Sequence, residues 1–147
     1  MERMTNIKGS ILVVFGTLGG IMTSFFGGWD SALQTLITFM AVDYATGLIV
    51  AGVFKKSSKT ETGALNSLAG WKGLCKKSGV LLAILIATSL DNMAGTNVIR
   101  DAAIIGYIAN EALSITENLT LMGVPLPKPI ENAIEVLRGK GEEDESK

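Results

Sequence analysis

Four acidic residues lie within or beside long apolar stretches of the chain: Asp43, Asp91, Glu111 and Glu117. Inside a membrane such carboxylates pair with cations, bind ions or pass protons, and they face a protein interior or water rather than lipid. Asp43 is the clearest case, because it is the only charged residue in the stretch 31–54. We expect it to face a protein interior, a lumen or a contact between copies. The alternative is a structural carboxyl that is hydrogen-bonded to Ser or Thr of a neighbouring helix.

The composition lacks the usual parts of hydrolytic catalysis. Histidine is absent and Cys75 is the only cysteine, which excludes a disulfide framework, a Cys/His zinc site and a His-activated nucleophile. The net charge of −1 and the pI near 5.4 argue against a nucleic-acid binder. We therefore predict a protein that is not an enzyme, with no catalytic residue, no metal site, no cofactor and no nucleic-acid partner.

Long apolar segments must position the carboxylates. A helix needs about 20 apolar residues to cross about 30 Å of hydrocarbon, and the mean hydropathy of +0.39 agrees with a membrane protein. We predict an all-α, small polytopic membrane protein with three to four transmembrane helices. The candidate spans are residues 10–29, 31–54, 78–99 and 102–122.

The lysines indicate the orientation of these spans. Six lysines and one acid, Glu61, occupy residues 55–77, and the positive-inside rule places this segment in the cytoplasm. The N-terminus, which carries Arg3 and Lys8, is then cytoplasmic as well. We interpret the lysines mainly as topology determinants, and binding of anionic lipid is the second interpretation.

The segment 102–122 explains why the number of spans is three to four. Its seven Leu and Ile residues favour insertion by about 2–4 kcal/mol, whereas each central acid costs about 2.5–3.5 kcal/mol. Such a helix either inserts against partners or water, or lies flat at the interface, and we favour insertion. On a helical wheel its polar residues share a wedge of about 120°: Tyr107, Asn110, Glu111, Ser114, Glu117 and Asn118.

Prolines stop this helix at Pro125 and Pro127, because proline lacks the amide donor. A short amphipathic helix from Ile130 to Leu137 is expected next. Residues 139–147 are rich in charge and are predicted to be a disordered tail. Residues 1–138 then form a single helical membrane domain.

A row of small residues marks the first apolar segment. Gly16, Gly20, Ser24 and Gly28 recur every four residues, and such rows let another helix backbone approach closely. We predict helix packing along this row, either within the chain or between copies.

Several motifs resemble those of the toxin-secretion and phage-lysis holin family. They are V-D-Y-A-T-G at 42–47, the lysine-rich loop ending at Lys76 and Lys77, the apolar run ending at Asp91, and Y-I-A-N-E-A-L-S-I-T-E-N at 107–118 followed by M-G-V-P-L-P at 122–127. They occur in order, and the resemblance covers about residues 31–137. The acidic tail departs from the basic carboxyl end that is common among holins.

The resemblance implies a multi-pass protein of the bacterial host's cytoplasmic membrane that oligomerises and forms lesions, which release an endolysin or a toxin for lysis or export. Its partners would be other copies of itself and the lipid bilayer, without necessary contact to the endolysin or toxin. The alternative is a small ion channel or solute transporter that uses Asp43 as an intramembrane carboxylate. The residues proposed for pore formation or assembly are Asp43, Thr46, Gly47, Asp91, Asn110, Glu111, Ser114, Glu117 and Asn118.

Overall fold

The structure, a computed structural model, describes residues 2–144, and it describes side chains for residues 8–136 except Phe15 and Met22. This part of the chain is helical and contains no strand, so the predicted all-α class is confirmed. The helices are α1 (Glu2–Phe25), α2 (Ser31–Ile49) with a π-helical turn at Val50–Phe54, α3 (Ser67–Ala94), α4 (Val98–Leu121) and α5 (Lys128–Asp144).

Three segments are long and apolar enough to cross a membrane: Lys8–Phe25, Ser31–Phe54 and Ser67–Ala94. Their order along the chain agrees with the first three predicted spans, although the boundaries differ. The segment 102–122 is not among the three, because its polar residues lower its hydropathy.

The third span differs most from its predicted bounds of 78–99. Asn66 begins α3 early by accepting hydrogen bonds from the amides of Leu68 and Ala69, and Gly95 ends it in a left-handed conformation with φ +69°. At 1.5 Å per residue the helix is about 42 Å long, which exceeds the hydrocarbon thickness. The lysines at 72, 76 and 77 therefore lie on a helix and not in a loop.

Helices α2, α3 and α4 form the bundle. Its buried core consists of Leu33, Leu36 and Met40 of α2, Ile84 of α3 and Ile104 of α4. Helix α4 runs parallel to α2, because their first turns are joined by Arg100 and Asp30 while Asn118 near the end of α4 bonds Thr46. Helix α3 runs antiparallel to both.

Helix α1 stands apart from this bundle. Among the helices it packs only against α3 in the described part of the chain, and none of the described side chains of the span Lys8–Phe25 is buried. It joins α2 through a turn at Gly27 and Gly28, with φ values of +77° and +102° that glycine adopts without strain. The predicted span 10–29 therefore ends as a helix at Phe25.

The carboxyl end is more helical than predicted. Helix α5 runs from Lys128 to Asp144, which extends beyond the expected end at Leu137 and into the segment 139–147, whose disorder stays a prediction. The two glycines at 139 and 141 cost about 1 kcal/mol each, but the surrounding Glu and Lys residues are good helix formers. Residues 145–147 of the predicted tail lie outside the described residues.

Candidate functional site: a charged cluster between three helices

Three helices each contribute one charged residue to a cluster near the middle of α2. The Nζ atom of Lys77 on α3 lies 2.9 Å from Oδ2 of Asp43 on α2, and it also donates to Oε2 of Glu111 on α4. The amide of Asn118 donates to Oδ1 of Asp43 at 3.1 Å and to the hydroxyl of Thr46 at 3.0 Å. We call these five residues the inner cluster.

The inner cluster is shielded from the surroundings. Asp43 and Glu111 are each 5% exposed, and the side chain of Lys77 is 14% exposed. Removing one partner of a buried ion pair is far more destabilising than the pair is stabilising, because the remaining charge stays buried without compensation. One ammonium between two carboxylates is therefore a strong constraint on how α2, α3 and α4 sit together.

Most of the predicted pore or assembly residues lie in or next to the inner cluster. Four of them belong to it: Asp43, Thr46, Glu111 and Asn118. Ser114 lies beside the Asp43 carboxylate. A side chain added at Gly47 would contact the Asn118 amide. An open cavity of about 990 Å³ adjoins the cluster. Two other members of the polar wedge, Asn110 and Glu117, line that cavity and are exposed, whereas Tyr107 packs against the buried core.

Lys77 is the residue that sequence reasoning missed. The lysine run was interpreted as a topology signal, so each lysine was placed in the loop. One signal was available: Lys77 is the last lysine before an apolar run, and a carboxylate in the middle of another span needs a cation within reach.

Asp91 lies away from the inner cluster, at the opposite end of α3. It is buried, and its carboxylate accepts hydrogen bonds from the amides of Ile99 at 3.2 Å and Arg100 at 2.7 Å, and from the Thr96 hydroxyl. These amides belong to the first turn of α4, whose N–H groups have no partners within the helix. In this structure Asp91 therefore caps α4, and its proposed role in pore formation stays a prediction.

We expect Asp91→Ala to lower the free energy of unfolding by about 0.5–2 kcal/mol, the usual cost of a lost helix cap. The neighbouring exposed Asn92→Ala is the control and should have little effect. Unfolding by sodium dodecyl sulphate in mixed micelles, followed by circular dichroism, measures both variants. Equal transitions for Asp91→Ala and wild type would contradict the capping role.

Arg100 forms a second cluster at this end of the bundle, which sequence reasoning also missed. Its Nε donates to the carbonyl of Phe26 at 2.6 Å, and its Nη1 lies 2.7 Å from Oδ2 of Asp30. The Arg100 side chain is 5% exposed. The hydrogen bond from this guanidinium holds the pKa of Asp30 below its usual value, so Asp30 stays ionised at neutral pH and caps α2 through the Leu33 amide.

In the part of the chain whose side chains are described, the row of small residues contacts no other helix. A side chain added at Gly16 or Gly20 would have nothing within 4 Å, and Ser24 is exposed and bonds only its own helix at Ile21. Gly28 lies in the turn after α1 and so does not continue the helical row. Among the described residues the row makes no packing contact within the chain, and its use between copies stays a prediction.

No group of three or more potential metal ligands occurs among the residues that the structure describes. The inner cluster is built instead from groups that pair with one another.

Comparison with known proteins identifies the family. The model of the bacteriophage holin family matches residues 20–139. The chain belongs to the bacteriophage holin family. The holin resemblance inferred from the motifs at 42–47 and 107–118 is thus confirmed, and the protein is a multi-pass protein of the cytoplasmic membrane.

Relatives of this holin family member occur in bacteria and in a phage. A protein of Listeria monocytogenes is 37% identical over 93% of this chain and 94% of its own length. A 14.9 kDa protein of Clostridium perfringens is 37% identical over 95% of this chain and 99% of its own length. A protein of Bacillus phage phi105 named "Probable holin" is 30% identical over 86% of this chain and 89% of its own length. No solved structure matches the chain.

Proposed function

We propose that this protein is a holin, which oligomerises in the cytoplasmic membrane of a bacterial host and forms lesions through which a cytoplasmic endolysin reaches the cell wall. The observation that carries the proposal is the family match over residues 20–139, together with the phage relative named probable holin. Export of a toxin, which the motif resemblance also implies, stays a prediction.

The inner cluster suggests how a stable membrane protein opens a hole. In the single chain the carboxylates of Asp43 and Glu111 are both paired with Lys77 and buried. If α2, α3 and α4 separate, the same three residues become a polar surface that water can solvate. We propose that the cluster holds the bundle closed during accumulation and that its members line water after assembly.

Co-expression with an endolysin that has no export signal tests the proposed function. We expect abrupt lysis and release of a large cytosolic reporter only when both proteins are present. Leakage of small ions with retention of the reporter would contradict the holin proposal and would favour the channel or transporter that uses Asp43.

The geometry supports α4 as a fourth span. Arg100, Glu111 and Asn118 of α4 are buried against the bundle, while Val98 and Ile105 are exposed. Glu111 therefore does not face lipid and Glu117 lines the cavity, so the insertion cost calculated for an isolated helix with two lipid-facing acids does not apply in full. Because α4 lies parallel to α2 along most of its length, and α2 belongs to a span, we propose that both cross the bilayer in the same direction, from outside to inside.

A labelling experiment tests this topology. Wild-type Cys75 is exposed on α3 and is expected to react with a membrane-impermeant maleimide only after the cells are permeabilised. In a Cys75→Ser background, Val98→Cys is expected to react in intact cells, and Lys128→Cys only after permeabilisation. Labelling of both engineered cysteines from the same side would show that α4 does not span.

Assembly is expected to depend on the exposed small-residue face of α1. Gly20→Leu should delay lysis in the endolysin assay, because the larger side chain keeps a second helix backbone at a distance. Gly19→Leu is the matched control, since a side chain there also meets nothing within 4 Å and points about 100° away. Identical lysis times for the two variants, at equal expression, would exclude this face from assembly.

A further inference from the structure

A cavity with both charged and apolar side chains in its lining lies beside the inner cluster. It lies between the second half of α2, the first half of α3, α4 and the connection at residues 57–66, and its volume is about 990 Å³. Three residues of the inner cluster, Asp43, Lys77 and Glu111, line its buried part, which we call the floor, and exposed side chains line its mouth. It is large enough for a lipid headgroup or another small ligand.

Three lysines contribute positive charge at the mouth of this cavity. Lys59, Lys72 and Lys76 line it, and in the described part of the chain none of them forms an ion pair. Lys72 and Lys76 are four residues apart and therefore share one face of α3. Two acids, Glu61 and Glu117, also line the mouth, which leaves one positive charge in excess. At the floor Lys77 lies between Asp43 and Glu111, so the floor carries one negative charge and the excess of positive charge is confined to the exposed side chains at the mouth.

Other parts of the lining suit an amphiphilic anion. The start of α3 contributes Asn66, Leu68, Ala69 and Gly70, and a helix N-terminus carries partial positive charge. The apolar side chains of Leu48, Val80 and Leu113 line the same cavity. A ligand with a phosphate at one end and a hydrocarbon chain at the other would meet matching surfaces at both ends.

The surface next to the cavity indicates its depth in the bilayer. Trp71 and Leu68 are 65% and 59% exposed, and they flank Lys72 on the first turns of α3. Exposed tryptophan beside lysine is typical of the boundary between headgroups and hydrocarbon. With this end of α3 on the cytoplasmic side, as the lysine distribution predicts, the cavity lies at the level of the inner-leaflet headgroups.

We propose that the cavity binds the phosphate-bearing headgroup of an anionic inner-leaflet phospholipid, with Lys59, Lys72 and Lys76 as its cationic contacts. The bound lipid fills the space between α3 and the α2–α4 pair. This inference concerns the single chain and does not depend on hole formation.

Thermal unfolding of the purified full chain in a neutral detergent tests the proposal, since a ligand that binds the folded state raises Tm. Phosphatidylglycerol is expected to raise Tm in a saturable way, whereas phosphatidylcholine and glycerol 3-phosphate at equal concentration leave it nearly unchanged. In Lys72→Gln/Lys76→Gln the affinity for phosphatidylglycerol should fall about tenfold or more. Lys56→Gln/Lys128→Gln removes the same charge outside the cavity and should retain wild-type affinity.

Three results would overturn the proposal. An equal loss in both double variants would show nonspecific attraction to surface charge, and an equal Tm increase with glycerol 3-phosphate would show a site for free phosphate rather than lipid. A Lys72→Gln/Lys76→Gln protein that keeps full affinity would exclude these lysines. Circular dichroism at low temperature establishes that each variant is folded before the measurement.

Discussion

Lys77→Met is expected to lower the free energy of unfolding by about 3–5 kcal/mol, because it leaves two buried carboxylates without their cation. Asp43 and Glu111 are each 5% exposed and both bond the same Nζ atom. The measurement is reversible unfolding in mixed micelles, followed by circular dichroism. A loss of this size is a large part of the 5–15 kcal/mol that typically stabilises a protein, so we also expect less folded protein in the membrane.

Two further variants separate the ion cluster from a general effect of losing a lysine. Lys76→Met changes a neighbouring exposed lysine that has no ion pair among the described residues, and it should stay within about 0.5 kcal/mol of wild type. Combining Lys77→Met with Asp43→Asn and Glu111→Gln should recover most of the stability, since no uncompensated charge remains. If Lys77→Met unfolds like wild type, the inner cluster does not hold the bundle.

Arg100→Met is expected to have the second largest effect, at about 3 kcal/mol or more, and to loosen the turn between α1 and α2. The substitution removes the donors to the carbonyls of Phe26 and Gly28 and leaves Asp30 without its cation. Hydrogen exchange at the amides of residues 26–33 should become faster, because the hydrogen bonds of Arg100 connect this turn to α4.

Two further variants, Arg100→Lys and Asp101→Asn, are the controls for this prediction. Arg100→Lys should recover only part of the loss, since a single ammonium cannot replace the planar guanidinium that reaches several acceptors. Asp101→Asn removes an exposed partner of the same guanidinium, 3.2 Å away and 56% exposed, and should cost no more than about 1 kcal/mol. Equal effects of Arg100→Met and Asp101→Asn would contradict the assigned role of Arg100.

The carboxylates of Asp43 on α2 and Glu111 on α4 could be identified from the sequence as candidate site residues, because each is an acid within an apolar segment. The helical wheel placed Glu111, Ser114 and Asn118 on one face, and the structure turns that face toward Asp43. Their cation was not found, because Lys77 is 34 residues from each of its two partners along the chain. Its position as the last lysine before an apolar run is the one local feature that distinguishes it from the other lysines of the segment 55–77.

Asp91 has a local role that the sequence did not indicate. The sequence grouped it with the pore residues because it is an acid at the end of an apolar run. In the folded chain its carboxylate accepts hydrogen bonds from the first amides of α4. This contact is possible because the connection between α3 and α4 is short. Gly95 ends α3 in a left-handed conformation, and the end of α3 then lies beside the start of α4.

The sequence by itself determined the membrane class, the helical fold and the approximate positions of three spans, because the length of an apolar segment and the charge around it are properties of consecutive residues. Family membership also followed from motifs of consecutive residues. Only the tertiary structure decided which charges neutralise one another, that α4 lies parallel to α2, and that the small residues of α1 face away from the chain's own bundle. These depend on contacts between residues far apart in the sequence, which form only when the helices pack.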